Sequence, residues 1–259
     1  MGLNILVTVK FAPNAVDIEV KPDGSISLER AEWEISSFDL PAIEAAVRLA
    51  EATRGKVIAL SVGPARINNS KLKKNVLSRG PDELVLVADD ALAEADTAVT
   101  ARVLALAAAK LAPFDLLLSG EGSADLYFQQ VGLQLGERMG IPTLNAIRKI
   151  EVYGNHVVVE RSLEDEIEVL EVPLPAALSV TTDIEQPRLP TMKEILKAGN
   201  KPVYEWSLTD LNLADLPGKV EVLHTMATPR VERKNIRLQG PTEEAVCELA
   251  GLLKKEGVL

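Results

Sequence analysis

Residues 119–132 read Ser-Gly-Glu-Gly-Ser-Ala-Asp-Leu-Tyr-Phe-Gln-Gln-Val-Gly and combine the residue types that hold phosphate groups. Gly120 and Gly122 let backbone N–H groups approach a ligand closely, and Ser123 adds a hydroxyl. A helix that starts just after the loop would add unpaired N–H groups and the positive end of its dipole. That combination suits a nucleotide. The same small residues also serve a plain tight turn, so the flanking elements have to decide. Upstream, Phe114, Leu116, Leu117 and Leu118 form an apolar run of buried-strand type; downstream, Val131, Leu135 and Met139 recur at helical spacing across residues 130–139. The loop therefore joins a strand to a helix.

The elements that must position this loop alternate along the first half of the chain. Residues 4–10, 57–62 and 83–87 read as strands, and residues 41–53, 71–78 and 97–111 as helices. Short apolar strands separated by helices predict a mainly parallel sheet covered on both faces, because a parallel crossover needs a helix to return the chain. The expected fold is a doubly wound, Rossmann-like α/β domain over residues 1–190. Ligands of such sheets sit outside the carboxyl ends of the strands, where the strand order reverses. The segments that follow strands are 11–38, 63–69, 88–96 and the loop at 119–132. Ser36-Ser37-Phe38-Asp39, before a helix, and Ser61-Val62-Gly63-Pro64, at a strand end, are companions that would line the same site. Ser and Asp before a helix are also common N-caps, and Gly-Pro is a common turn.

Beyond Gly140-Ile141-Pro142 the pattern changes to a small antiparallel hairpin extension. Val152 and Tyr153 lead into a Gly154-Asn155 turn, an alternating run follows over 156–162, and a second strand is expected over 166–172. Leu178-Ser179-Val180 returns to a core-like strand. Residues 191–259 lack a continuous core pattern and are punctuated by proline, with a short helix expected over 191–198 and another opened by Thr242-Glu243-Glu244. These residues read as a C-terminal arm that packs on a partner.

Composition narrows the function. The 259 residues are 47% hydrophobic and carry a formal charge of -10, with no basic surface for nucleic acid. The single cysteine, Cys247, rules out an internal disulfide or a cysteine metal cluster and reads as core packing. His156 and His224 are the only histidines and lack ligand-type spacing, so no metal site and no catalytic triad is expected. Asp89-Asp90 and Glu164-Asp165-Glu166 read as solvated turns. No apolar run approaches the roughly 20 residues that cross a bilayer, so no direct membrane insertion is expected. Without a recognisable leader, the default location is cytoplasmic.

Residues 119–125 faintly resemble the pyrophosphate-binding loop of ATP pyrophosphatases. In that family the loop follows the first strand and is richer in glycine. A much broader resemblance is carried by residues 4–10, Glu44-Ala45-Ala46, Ser61-Val62-Gly63, Ser78-Arg79-Gly80-Pro81-Asp82-Glu83, the loop at 119–132 and Asp183-Ile184-Glu185-Gln186-Pro187-Arg188. Over nearly the whole chain these resemble the electron transfer flavoprotein beta subunit. Ser36 to Asp39 and Asp125-Leu126-Tyr127-Phe128-Gln129-Gln130-Val131-Gly132 are most similar to its Fix-type branch.

The resemblance implies an electron-carrying heterodimer with an alpha subunit, in which this chain holds an adenine nucleotide. The nucleotide is either the adenylate part of an FAD that takes hydride from NADH and bifurcates the electrons, or a structural AMP. The positions it implicates are Thr8, Ser36, Ser37, Phe38, Asp39, Val62, Ser123, Ala124, Asp125, Gln129, Gln130, Val131 and Gly132. Leu126 and Tyr127 stand where AMP-type members carry acidic residues, which favours the Fix-like branch. Residues 187–197 resemble the segment that docks dehydrogenase or quinone-reductase-type redox partners. Met192 is the implied apolar anchor, flanked by Pro190 and Ile195, although the same methionine also reads as a buried helix residue.

Overall fold

The computed structural model describes residues 2–213, 216, 218, 220–229 and 233–259. In chain order the strands are β1 (Asn4–Thr8), β2 (Phe11–Pro13), β3 (Glu19–Val20), β4 (Ile26–Ser27), β5 (Trp33–Ile35), β6 (Lys56–Gly63), β7 (Glu83–Ala88), β8 (Leu116–Gly120), β9 (Thr143–Tyr153), β10 (His156–Ser162), β11 (Ile167–Pro173), β12 (Ala176–Val180) and β13 (Val203–Trp206). The helices are α1 (Asp39–Thr53), α2 (Ser70–Leu77), α3 (Thr97–Leu111), α4 (Val131–Met139), α5 (Met192–Ala198) and α6 (Thr242–Lys255).

The main sheet has nine strands in the order β11-β10-β9-β12-β8-β1-β6-β7-β13. From β9 through β12, β8, β1, β6 and β7 to β13 every pairing is parallel, whereas β10 and β11 join antiparallel at one edge. This is the expected doubly wound, mainly parallel α/β fold with an antiparallel extension. From β1 the chain winds to β6 and β7, then crosses back to lay β8 on the other side of β1. The strand order therefore reverses between β1 and β8, and the crevice for a ligand opens outside their carboxyl ends.

Both faces of the sheet are buried, and the strand sequences show it. In β1, Ile5 and Val7 enter an apolar cluster with Ile43 and Val47 of α1 and Leu72 and Val76 of α2. Leu6, pointing the other way, joins Val99 and Val103 of α3 and Leu135 of α4. Helix α4 lies unusually close to the sheet. A Cβ on Gly132 would fall 2.3 Å from Ser119 Oγ, and one on Gly136 would fall 2.1 Å from Thr143 Oγ1. Glycines one turn apart thus form the face that α4 turns to the strands.

Three stretches differ from the sequence reading. Residues 11–38 are not a simple loop: β2 pairs with β5 and β3 with β4, building a small antiparallel annex beside the carboxyl end of β1. Val203–Trp206, within the stretch read as an arm, pairs parallel with β7 as an edge of the main sheet. Cys247 is exposed rather than packed in a core, and α6 buries none of its residues within this chain. Among the described residues no helix is long and apolar enough to cross a membrane.

Candidate functional site

The crevice between β1 and β8 is closed from below by one carboxylate. Asp39, the first residue of α1, is 5% exposed. Its Oδ2 accepts the backbone N–H of Lys10 at 2.7 Å and its Oδ1 accepts that of Gly120 at 3.3 Å. The Asp39 side chain therefore ties together the exits of two neighbouring strands. It does not cap its helix, so the N-cap reading of this aspartate is wrong: Phe38 occupies the cap position without a side-chain cap bond. Burial raises the Asp39 carboxyl to about 7, against the opposing pull of the Lys10 and Gly120 N–H groups.

Ser36 continues this connection upward. It is buried, donates its N–H to the Lys10 carbonyl at 2.9 Å, and accepts the Asp39 N–H at 2.9 Å. Its Oγ accepts the N–H of Ala124 at 3.2 Å. The loop after β8 is thereby held against the start of α1. Lys10 completes the ring from above: its Nζ lies 2.6 Å from Asp125 Oδ2 and 3.4 Å from Ser123 Oγ. Asp125 also accepts the Ser123 hydroxyl at 2.6 Å and the Leu126 N–H at 2.9 Å. Burial pushes the Asp125 carboxyl up, but Lys10 and Ser123 outweigh it and leave it below the ordinary aspartate value.

An aromatic pair covers the next part of the loop. The rings of Phe38 and Tyr127 lie with centroids 4.7 Å apart, and the Tyr127 ring packs directly on the backbone of Gly122. Tyr127 and Gln129 both adopt left-handed backbone, with φ of 49° and 56°. Such conformations in non-glycine residues persist only where surrounding contacts hold them. Gln129 Nε2 donates to the Tyr127 hydroxyl at 3.2 Å, and burial raises the neighbouring Glu121 carboxyl. On either side of Tyr127, Leu126 and Phe128 are exposed.

The remaining expected positions are distributed around this ring. Thr8 ends β1 and is buried; Ser37 is exposed; Val62, near the end of β6, packs into the α3–α4 side of the core. Gln130 accepts the Thr97 hydroxyl at 2.9 Å, tying the entry of α4 to that of α3. Val131 and Gly132 form the first turn of α4. Ser36, Phe38, Asp39, Ser123, Ala124 and Asp125 thus converge on one crevice, while Val62 has its contacts in the core below. Pro190, Met192 and Ile195 form a separate surface around α5. Met192 is 73% exposed, which excludes its reading as a buried helix residue within this chain. Lys10 was not singled out by sequence reasoning, and Ser119, Glu121 and Tyr127 were read within the loop but not as binding positions. The signal for Lys10 was its place just beyond a strand end, hidden because the strand was read through residue 10.

The arrangement offers donors suited to a phosphate group. Ser119 Oγ is buried, has no hydrogen-bond partner among the described residues, and lies against Gly132 in the first turn of α4. An orphaned hydroxyl beside a helix N-terminus has donor capacity left for a phosphate or ribose oxygen. The loop adds a backbone held to the strand ends and a serine hydroxyl, and Lys10 beyond β1 adds one ammonium. At the opposite, amino-terminal end of the sheet, the cavity beside Asn4, Leu6, Lys56 and Phe114 is mostly apolar and lies away from these groups.

This geometry, a switch-point crevice rimmed by the β8–α4 loop and the start of α1, coincides with the extent of a recognised family. The electron transfer flavoprotein domain matches residues 24–211, covering α1, the β8–α4 loop, α5 and the edge strand β13. With well over half of its length matched, the chain belongs to the electron transfer flavoprotein family.

Proposed function

We propose that this chain is the beta subunit of a heterodimeric electron transfer flavoprotein of the Fix-type branch, and that its switch-point crevice holds the adenylate part of an FAD. The observation that carries this reading is the Ser119 hydroxyl, unpartnered among the described residues, against the first turn of α4 beneath a loop pinned by Ser36, Lys10 and Asp39. Ser123, Ala124 and the first turn of α4 would hold the phosphate side, and Thr8, Ser36 and Phe38 the nucleoside side. Asp39 keeps the two strand ends at fixed spacing, so the pocket is formed before the ligand arrives. When bound, the flavin supplies two-electron acceptance from NADH and one-electron transfer onward. The chain's residues contribute binding, orientation and exclusion of water.

Support for the Fix-type branch comes from Leu126 and Tyr127, directly after Asp125, where AMP-type members carry acidic residues. The alpha subunit would bury α6, whose Val246 and Leu249 are exposed here. The arm of residues 191–259 would serve that contact, with β13 as its root in the sheet. Redox partners of dehydrogenase or quinone-reductase type would dock on Leu189, Met192 and Leu196, exposed along α5 and its approach. The location would be cytoplasmic.

The test is to denature the purified heterodimer and count the nucleotides released. Two FAD per heterodimer is the expected result. One FAD with one AMP would replace the bifurcating reading by the structural-AMP form, and release of no adenine nucleotide from this subunit's site would reject both.

A further inference from the structure

Lys10 is the only lysine or arginine in the segments that rim the crevice, residues 8–11, 36–39, 61–64 and 119–132. Against its single positive charge stand three carboxylates, Asp39, Glu121 and Asp125. A phosphate entering this acidic rim meets repulsion unless it gains a cation at short range. Helix N-termini and hydroxyls supply hydrogen bonds but only partial charge.

The backbone of Lys10 is fixed, because its N–H is held by Asp39 and its carbonyl by Ser36. Its side chain is not fixed to the same degree. The ammonium bridges across the crevice mouth to Asp125 and approaches Ser123, and 42% of the side chain remains exposed. A lysine on such an anchor can redirect its flexible stem without disturbing the strand. Asp125 is equipped to lose it, since the Ser123 hydroxyl and the Leu126 N–H still satisfy its carboxylate.

Resting on the adenine-nucleotide reading above, we propose that Lys10 is the cation that receives the nucleotide's phosphate, with Asp125 as its counter-ion until the phosphate replaces it. Ser123 Oγ, 3.4 Å from the ammonium, keeps its proton on Asp125 and marks where the exchanged phosphate would sit. The crevice thus carries its own place-holder for the ligand's charge. A site built this way binds anionic adenine nucleotides in preference to the neutral nucleoside, and its affinity falls as salt rises.

The experiment compares AMP with adenosine, which differ only in the phosphate, by calorimetric titration of the full chain stripped of nucleotide. In Lys10→Met, AMP affinity should fall about tenfold or more, as expected for loss of one charge-assisted contact, while adenosine affinity stays at the wild-type level. Lys10→Arg should recover most of the AMP affinity. The dependence of AMP affinity on ionic strength should flatten in Lys10→Met. Equal loss for AMP and adenosine would mean that Lys10 only holds the loop, and unchanged AMP affinity would mean that the phosphate lies elsewhere; either overturns the proposal. Wild-type chain that binds neither ligand would remove the nucleotide reading itself, a result distinct from both. Circular dichroism and thermal midpoints of the two variants separate misfolding from loss of contact.

Discussion

The buried carboxylate of Asp39 accepts the backbone N–H of Lys10 at 2.7 Å, so a side chain from the first turn of α1 holds the exit of β1. Its second oxygen reaches Gly120 at the end of β8. Two strands that diverge in chain order are therefore locked at the point where a ligand crevice must open.

That clamp makes stability depend on pH in a defined window. The Asp39 carboxyl rises from 3.8 to about 7 in the fold, so the native state holds its proton more tightly than the unfolded chain does. The stability this proton contributes is fully present below pH 4 or so and is lost as pH rises to about 7, with a slope of at most about 1.4 kcal/mol per pH unit. Urea midpoints should fall across this range in the wild type and fall less in Asp39→Asn. A variant slope equal to that of the wild type would place the titration on another group.

Arg188 holds the segment before α5 onto α1. Its guanidinium donates to Glu44 Oε2 at 2.8 Å and to Glu51 Oε1 at 2.9 Å, and the Glu44 side chain is almost fully buried. Removing the arginine leaves the Glu44 charge with only Arg48 as an ion-pair partner among the described residues. Arg188→Met should destabilise by about 2–4 kcal/mol, and adding Glu44→Gln should recover part of that loss. Thermal unfolding of the two single variants and the double variant measures the coupling; strict additivity would contradict it.

Gly132 sets how closely α4 approaches the sheet. A methyl group there would fall 2.3 Å from Ser119 Oγ, so Gly132→Ala should cost about 1–3 kcal/mol despite the better helix propensity of alanine. It should also weaken nucleotide retention, because the first turn of α4 moves away from the loop. A thermal midpoint at or above the wild-type value would contradict this packing.

Met192, at the start of α5, is 73% exposed. Met192→Asp should leave the thermal midpoint within about 1 °C of wild type while lowering the rate of electron transfer to the redox partner about tenfold or more. Stopped-flow measurements with the co-purified complex would read this. An unchanged rate would move the docking surface away from α5.

Much of the frame was legible because the hydrophobic pattern carries it. The helix expected over residues 97–111 is α3, and the alternating run over 156–162 is β10. Both bury their apolar positions at the period of the element, so local pattern and final packing agree. Strand β13 was not legible: Val203–Trp206 is four residues long, follows a proline, and becomes a strand only because β7 offers an open edge. The pairing of β2 with β5 likewise depends on partners well separated in sequence, such as Phe11 with Ile35.

At the site, residue types pointed to the loop and to Ser36 and Asp39, but not to their roles. Whether an aspartate before a helix caps it or reaches across to two strand ends depends on how α1 sits on β1 and β8. Lys10 was hidden for a similar reason. Its contact with Asp125 spans 115 residues of sequence and exists only after the sheet has formed.

The most direct test of an adenine nucleotide in the β1–β8 crevice is photolabelling of the full chain with an azido-adenine nucleotide, followed by peptide mapping. Labelled peptides should contain residues 36–39 and 119–132, with protection by excess AMP. Protectable labelling confined to the opposite end of the sheet, around Asn4, Lys56 and Phe114, would contradict the assignment.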